Sequence, residues 1–190
     1  MLNKLVDYYD PKIKNDYEVI SNTFDINNYV EIQILNAFIN NLDVYSGKTF
    51  RKNFYFYMDS MNSNVINICP WDLDLTFGLY YNNYSDLLSK TDYDRYRSIT
   101  TPLFEKKSDK LNDLIRDKYQ ELRIKYLNED NLFPILDGYI SDLNSGAFQR
   151  DSMRWYDYDA VYEIDQIKEW IKNRIKVLDK YMGVETKDEN

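Results

Sequence analysis

The chain has 190 residues, 44% hydrophobic and 16% aromatic with 19 Tyr, enough to bury a substantial core in one domain. Its 24 basic and 32 acidic residues leave a formal charge of −8, which weighs against duplex nucleic acid or an anionic membrane as a partner, accommodates a basic one more easily, and equally fits ordinary solubility. With no histidine and a single cysteine, Cys69, it excludes Ser-His-Asp and Cys-His triads, His-ligated metals and internal disulfides. Any chemistry therefore falls to carboxylates, amides, hydroxyls, Lys, Arg or Tyr.

A lone cysteine tilts the compartment towards the cytosol. No apolar run approaches the about 20 residues that span a bilayer, and the N-terminus lacks the basic-then-apolar profile of a signal peptide. The expectation is a soluble, single domain over residues 1–184, followed by the polar tail "ETKDEN" at 185–190.

In chain order, Asp25 reads as the N-cap of a helix running to about Leu42, because Ile26, Tyr29, Val30, Ile34, Leu35, Phe38, Ile39 and Leu42 fall largely on one face. A polar loop, "NNLDVYSGKTFRKN", follows. Its "SGKT" is similar to a phosphate-binding loop, but that pattern needs a Gly where Leu42 stands and a helix where a strand is predicted. Two strands come next, "FYFYM" at 54–58 and "VINIC" at 65–69, joined by the turn-forming "DSMNSN" as a hairpin.

Beyond Tyr84 the pattern is helical. Ser108 caps a helix carrying Leu111, Leu114, Ile115, Tyr119, Leu122 and Tyr126, Leu132 to Leu143 forms another, and Ile164, Ile167, Ile171, Ile175 and Leu178 mark a long last helix. The fold class is α+β, mostly α, with one small hairpin. Trp170 and "RWYDYDAVY" read as core and surface packing or, alternatively, a docking patch, and Arg154 with Trp155 as a structural stack or a neighbour of the site.

The second strand runs into "NICPWDLDLTFG" at 67–78. Side chains two residues apart on an extended segment share a face, so Asp72 and Asp74 come close together. Where solvent is limited, two such carboxylates repel at a cost of about several kcal/mol unless neutralised, and a divalent cation, Mg²⁺ above all, does this while keeping waters for a phosphate. The spacing equally permits one Asp to cap the next turn and the other to pair with an Arg.

Three enzyme classes use an Asp-x-Asp. The motif resembles that of haloacid-dehalogenase-type phosphatases, but their doubly wound sheet needs later strands where this chain reads as helical. Metal-dependent glycosyltransferases need an upstream nucleotide-binding sheet that is absent. Kinase-like folds match in order: a helix, a loop with a catalytic Asp and a metal-binding Asn, a strand, then the metal-binding Asp and a Gly. Here those places fall at helix 26–42, Asp43, Asn53, and Asp72 with Asp74.

"NNLDVYSGKTFRKNFYFYMDS" followed by "NICPWDLDLTFG" resembles the spore coat protein H (CotH) kinase family, with an Asn and Asp after a helix, Lys-Asn leading an aromatic strand, then Pro-Trp-Asp-x-Asp and a Gly. "TPLFEKKSDKLNDLIRDKYQEL" and "DSMRW" are similar to its helical half, so the resemblance covers about residues 25–156. It implies a kinase-like C-terminal lobe whose hairpin carries the metal-site motif. It also implies an atypical protein kinase that uses ATP with Mg²⁺ or Mn²⁺ to phosphorylate serines of basic, Ser-rich spore-coat proteins, in the cytoplasm at the spore coat.

By the same resemblance, Asp72, Asp74 and Asn53 are the metal candidates, Asp43 and Asp72 the catalytic ones, and Trp71 with Asn53 the nucleotide contacts. The alternative is a non-catalytic scaffold of the same fold in coat assembly. Kinase-like folds place a phosphate-covering loop and a Lys–Glu pair ahead of the first helix, whereas here 24 residues precede Asp25 and no Gly precedes Gly47. The chain as given is therefore expected to lack the first lobe and to have little activity alone.

Overall fold

A computed structural model describes residues 17–41, 45–46, 49–50, 53–60, 63–74, 76–77, 109–143, 145–154 and 160–184. Its elements are α1 (Tyr17–Thr23), α2 (Ile26–Phe38), β1 (Tyr45–Ser46), β2 (Thr49–Phe50), β3 (Phe54–Tyr57), β4 (Asn67–Pro70), α3 (Asp109–Lys125), α4 (Glu129–Asp142), α5 (Ser145–Arg154) and α6 (Ala160–Met182). Helix dominates, with two antiparallel pairs, β1–β2 and β3–β4, as the strands among the described residues. The chain divides into two compact units, residues 1–120 and 121–190.

In the first unit, α2 starts where the sequence places it. The Asp25 side chain accepts from the amide of Asn28 at 2.9 Å, satisfying one of the free N–H groups of the first turn. The helix ends earlier than its apolar periodicity implies. Asn40 adopts φ 54, its amide donates to Ala37 O at 3.3 Å, and the Asn41 amide donates to Asn36 O at 2.9 Å. These are the two bonds of a Schellman stop, built on an Asn that tolerates the left-handed region, so Ile39 leaves the helix although it stays buried.

Tyr29, Val30, Ile34, Ala37 and Phe38 of α2 are buried with Ile20, Phe24, Ile66 and Ile68, and burial of such side chains is the main stabilising term here. Leu111, Ile115 and Tyr119 of α3 are also buried. On the same helix Lys118 pairs with Glu31 at 3.4 Å, and the Lys110 ammonium lies 3.8 Å from the Tyr17 ring centroid.

The β3–β4 hairpin is in register Phe54↔Pro70, Tyr55↔Cys69, Phe56↔Ile68 and Tyr57↔Asn67. Alternation turns Phe54 and Phe56 towards Phe24, with the Phe24–Phe56 centroids 5.7 Å apart, and leaves Tyr55 and Tyr57 exposed. The second strand is displaced from the expected 65–69. Ile66 instead forms a parallel bridge with Phe24, with Asp25 N–H donating to Ile66 O and Ile66 N–H to Thr23 O, both at 2.9 Å.

In the second unit, the Asn128 side chain caps α4 by accepting from the Asn131 amide at 2.9 Å, one turn ahead of the expected start at Leu132. Pro134 lies inside α4 and removes one ladder donor. Against α6, Asp137 pairs with Lys168, and Glu129 lies 3.9 Å from Lys172. Both ammonium groups lie over the Phe133 ring.

The buried face of α6 carries Trp170, Ile171, Ile175, Leu178 and Met182, in agreement with the packing role read for Trp170. Its buried Asp179 receives both carboxylate bonds from Arg123 Nε, at 3.0 and 3.1 Å, while Arg123 Nη1 donates to Leu127 O at 3.1 Å. Helix α1 and the β1–β2 pair have no counterpart in the sequence reading, and α5 is anticipated there only by the likeness of "DSMRW" to the family's helical half. Ser108 and Trp155 lie outside the described residues.

Candidate functional site

The segment that carries the two aspartates is held by backbone bonds and by the side chain of Asn28. Strand β4 is paired to β3 along one edge, and along the other it meets the α1–α2 junction through Ile66 and the start of α2 through Asn28. Asn28 Oδ1 accepts from Ile68 N–H at 2.7 Å, and Asn28 Nδ2 donates to Ile68 O at 3.2 Å. At the open end of the hairpin, Trp71 N–H donates to Asn53 O at 2.9 Å.

Beyond Trp71 the chain stops being a strand. Asp72 has φ 57 and Asn53, across the hairpin end, has φ 62, both in the left-handed region that Asp and Asn tolerate better than most residues. The segment then turns at Asp74. Thr76 Oγ1, on a buried side chain, donates to Leu73 O at 2.7 Å, and Phe77 N–H donates to Ile39 O, just past the end of α2, at 2.7 Å.

This geometry corrects the argument from an extended i, i+2 spacing, because the left-handed turn at Asp72 interrupts the two-residue alternation. Asp72 and Asp74 are both exposed, as are Trp71 and Leu73. Among the described residues neither carboxylate has a hydrogen-bond or ion-pair partner, so neither the turn cap nor the Arg partner allowed by the spacing is found there. Because both residues are exposed, burial does not force a cation on them. What recommends them as ligands is their chemistry: two exposed carboxylates on an anchored loop beside an amide, the hard oxygen donors that Mg²⁺ and Mn²⁺ take.

The structure brings Asn53, Trp71 and Asp72 together at one end of the hairpin, with Asp74 two residues on. Asp43 lies outside the described residues. Among the described residues no group of three or more acidic or thiol side chains is arranged to hold a metal. Trp71 is 59% exposed and meets Tyr55 edge-on at 5.4 Å, leaving much of the indole open to solvent.

Sequence reasoning missed Asn28, Thr76 and Tyr55 as parts of this end of the fold. Thr76 was legible in principle, as a hydroxyl three residues after Leu73 in a turn. Tyr55 follows from strand alternation, which pairs it with Cys69 on the face next to Trp71. Asn28 carries no such signal, since its partner Ile68 is 40 residues away.

The described elements define a mostly helical α+β chain in which a small antiparallel hairpin presents an Asp-x-Asp loop. Compared with known protein families, residues 1–178 match the family described as CotH kinase protein, and the chain belongs to it. The match extends beyond both ends of the stretch that carries the sequence resemblance. No curated protein and no solved structure matches the chain. Among the described residues no helix is long and apolar enough to cross a membrane.

Proposed function

We propose that this chain forms the metal- and nucleotide-facing part, with a kinase-like C-terminal lobe fold, of an atypical protein kinase that transfers the γ-phosphate of ATP to serines of basic, Ser-rich spore-coat proteins, in the cytoplasm at the spore coat. The observation that carries this reading is the pair of exposed carboxylates, Asp72 and Asp74, without a protein partner among the described residues, on a loop fastened beside Asn53 in a chain of the CotH kinase family.

In this reading Asp72 and Asp74, with the Asn53 amide, hold Mg²⁺ or Mn²⁺. When bound, the cation supplies charge neutralisation at the phosphate oxygens. Asp43 accepts the proton of the attacking serine hydroxyl, and the open indole of Trp71 contacts the nucleotide base. The acidic surface implied by the net charge of −8 attracts basic substrates, so their affinity falls as salt rises.

The test is ATP-dependent phosphate incorporation into a basic, Ser-rich peptide by the full-length protein, with and without divalent metal. Transfer that chelation abolishes, and that Asp72→Asn or Asp74→Asn also abolishes while the circular dichroism spectrum is retained, supports the reading. Metal-independent transfer, or full activity in both variants, overturns it.

A further inference from the structure

Asn28 is the third residue of α2, and it serves two masters at once. Its main-chain amide closes the helix cap on Asp25 at 2.9 Å, while its side-chain amide bonds both backbone groups of Ile68. A primary amide offers the same donor and acceptor as a peptide unit, so Asn28 substitutes for one step of a neighbouring strand on the free edge of β4. Leu lacks both groups, Asp lacks the donor, and Ser carries donor and acceptor on one short-armed oxygen rather than on two separated atoms.

The consequence reaches the aspartates, because α2 grips the segment that carries them at both ends. Asn28, near the start of the helix, holds Ile68 ahead of the loop, and the carbonyl of Ile39, just past its end, holds Phe77 behind the loop. Ten residues of helix lie between these grips, and the eleven steps from Asn28 to Ile39 make a stiff spacer of about 16 Å. The other fastenings (Asp25 to Ile66, Ile66 to Thr23, Trp71 to Asn53, Phe77 to Ile39) run from backbone to backbone. Asn28 is the side chain in this set, and so the point at which residue identity fixes the register of β4 on α2.

We infer that Asn28 is a positioning residue that sets where Asp72 and Asp74 stand relative to α2. The link to metal binding rests on the proposed function above, whereas the grip on the loop does not, and the experiment separates them. The 190-residue chain is compared with Asn28→Leu, which removes both bonds, with Asn28→Asp, which keeps the acceptor for Ile68 N–H and loses the donor, and with Val30→Ala, a packing loss on the same helix. Two quantities are read: Mn²⁺ affinity by electron paramagnetic resonance, and hydrogen exchange at the bonded amides of Ile68, Trp71 and Phe77.

Asn28→Leu is expected to weaken Mn²⁺ binding by about tenfold, the lower end of the range for residues that orient metal ligands, and to speed exchange at all three amides. Asn28→Asp is expected to fall between it and wild type, and gives the same readings if the Leu variant does not fold. Val30→Ala is expected to lower global stability while leaving Mn²⁺ affinity and the Trp71 and Phe77 amides unchanged. Unchanged exchange in both Asn28 variants, or an equal change in Val30→Ala, overturns the inference. If the wild-type chain binds no Mn²⁺, the metal reading fails, and the exchange pattern still decides the role of Asn28.

Discussion

The amide of Phe77 donates to the carbonyl of Ile39 at 2.7 Å, tying the end of the Asp-x-Asp loop to the exit of α2. Ile39 is buried and is followed by the left-handed Asn40, so the carbonyl that would continue the helix ladder is turned outward at a fixed place. The loop from Trp71 to Phe77 is thereby tied by backbone bonds at both ends. Within it, Thr76 adds a side-chain bond.

Thr76→Val removes a hydroxyl but keeps the shape of the buried side chain, so it isolates the 2.7 Å bond to Leu73 O. The expected loss is about 1 kcal/mol of stability, the usual net value of a single hydrogen bond, with Thr76→Ser recovering most of it. Urea denaturation measures both. Equal stability in the Val and wild-type proteins would show that the turn is held without the hydroxyl.

At the far end of the chain, Gly183 has φ 70 and the Val184 amide donates to Asp179 O at 2.9 Å, the bond that closes the end of α6. Space is open around Gly183, so a Cβ there meets nothing and the effect of Gly183→Ala is purely conformational. It is expected to cost about 1 kcal/mol in thermal or urea denaturation, and Gly183→Asn less, because Asn tolerates the left-handed region. Equal losses for Ala and Asn would contradict this account.

The sequence revealed those elements whose signals are local. Asp25 as a cap, the alternation of "FYFYM" and the apolar stripe of the last helix all depend on neighbours within a turn or two, and each appears where expected or within a few residues of it. The end of α2 was misplaced because Ile39 and Leu42 continue the apolar period while the stop is made by backbone geometry at Asn40. The helix α5 is a short, mostly polar stretch with few apolar residues to mark a period, and β1–β2 is two residues per strand, too short for periodicity to register. At the site, the residue types were legible from Pro-Trp-Asp-x-Asp. The left-handed turn at Asp72 and the grip of Asn28 were not, since both are set by pairing between segments distant in sequence.

In the second unit, Arg123→Met is expected to cost about 3 kcal/mol, because it withdraws the Nε–H shared by both oxygens of the Asp179 carboxylate, which is 1% exposed. Arg123→Lys is expected to recover only part of this, since an ammonium cannot reproduce the planar fork that also reaches Leu127 O. Denaturation followed by near-ultraviolet dichroism gives the comparison. A Met variant as stable as wild type would mean that the pair contributes no net stability.

The most discriminating substitutions fall on Asp72, where backbone strain and charge can be separated. Its φ of 57 favours Gly, Asn and Asp over other residues, so Asp72→Asn and Asp72→Gly are expected to fold with stability within about 0.5 kcal/mol of wild type, while Asp72→Ala loses about 1 kcal/mol relative to the Gly variant. All three remove the carboxylate. If Asp72 serves as a metal ligand, all three lose phosphotransfer in the full-length protein and weaken Mn²⁺ binding alike, although their stabilities differ. If Asp72 matters only for the turn, activity instead follows stability, with Asn and Gly retaining it and Ala losing part. Activity retained in Asp72→Asn with unchanged Mn²⁺ affinity would remove Asp72 from the metal site and leave Asp74 as the ligand to test next.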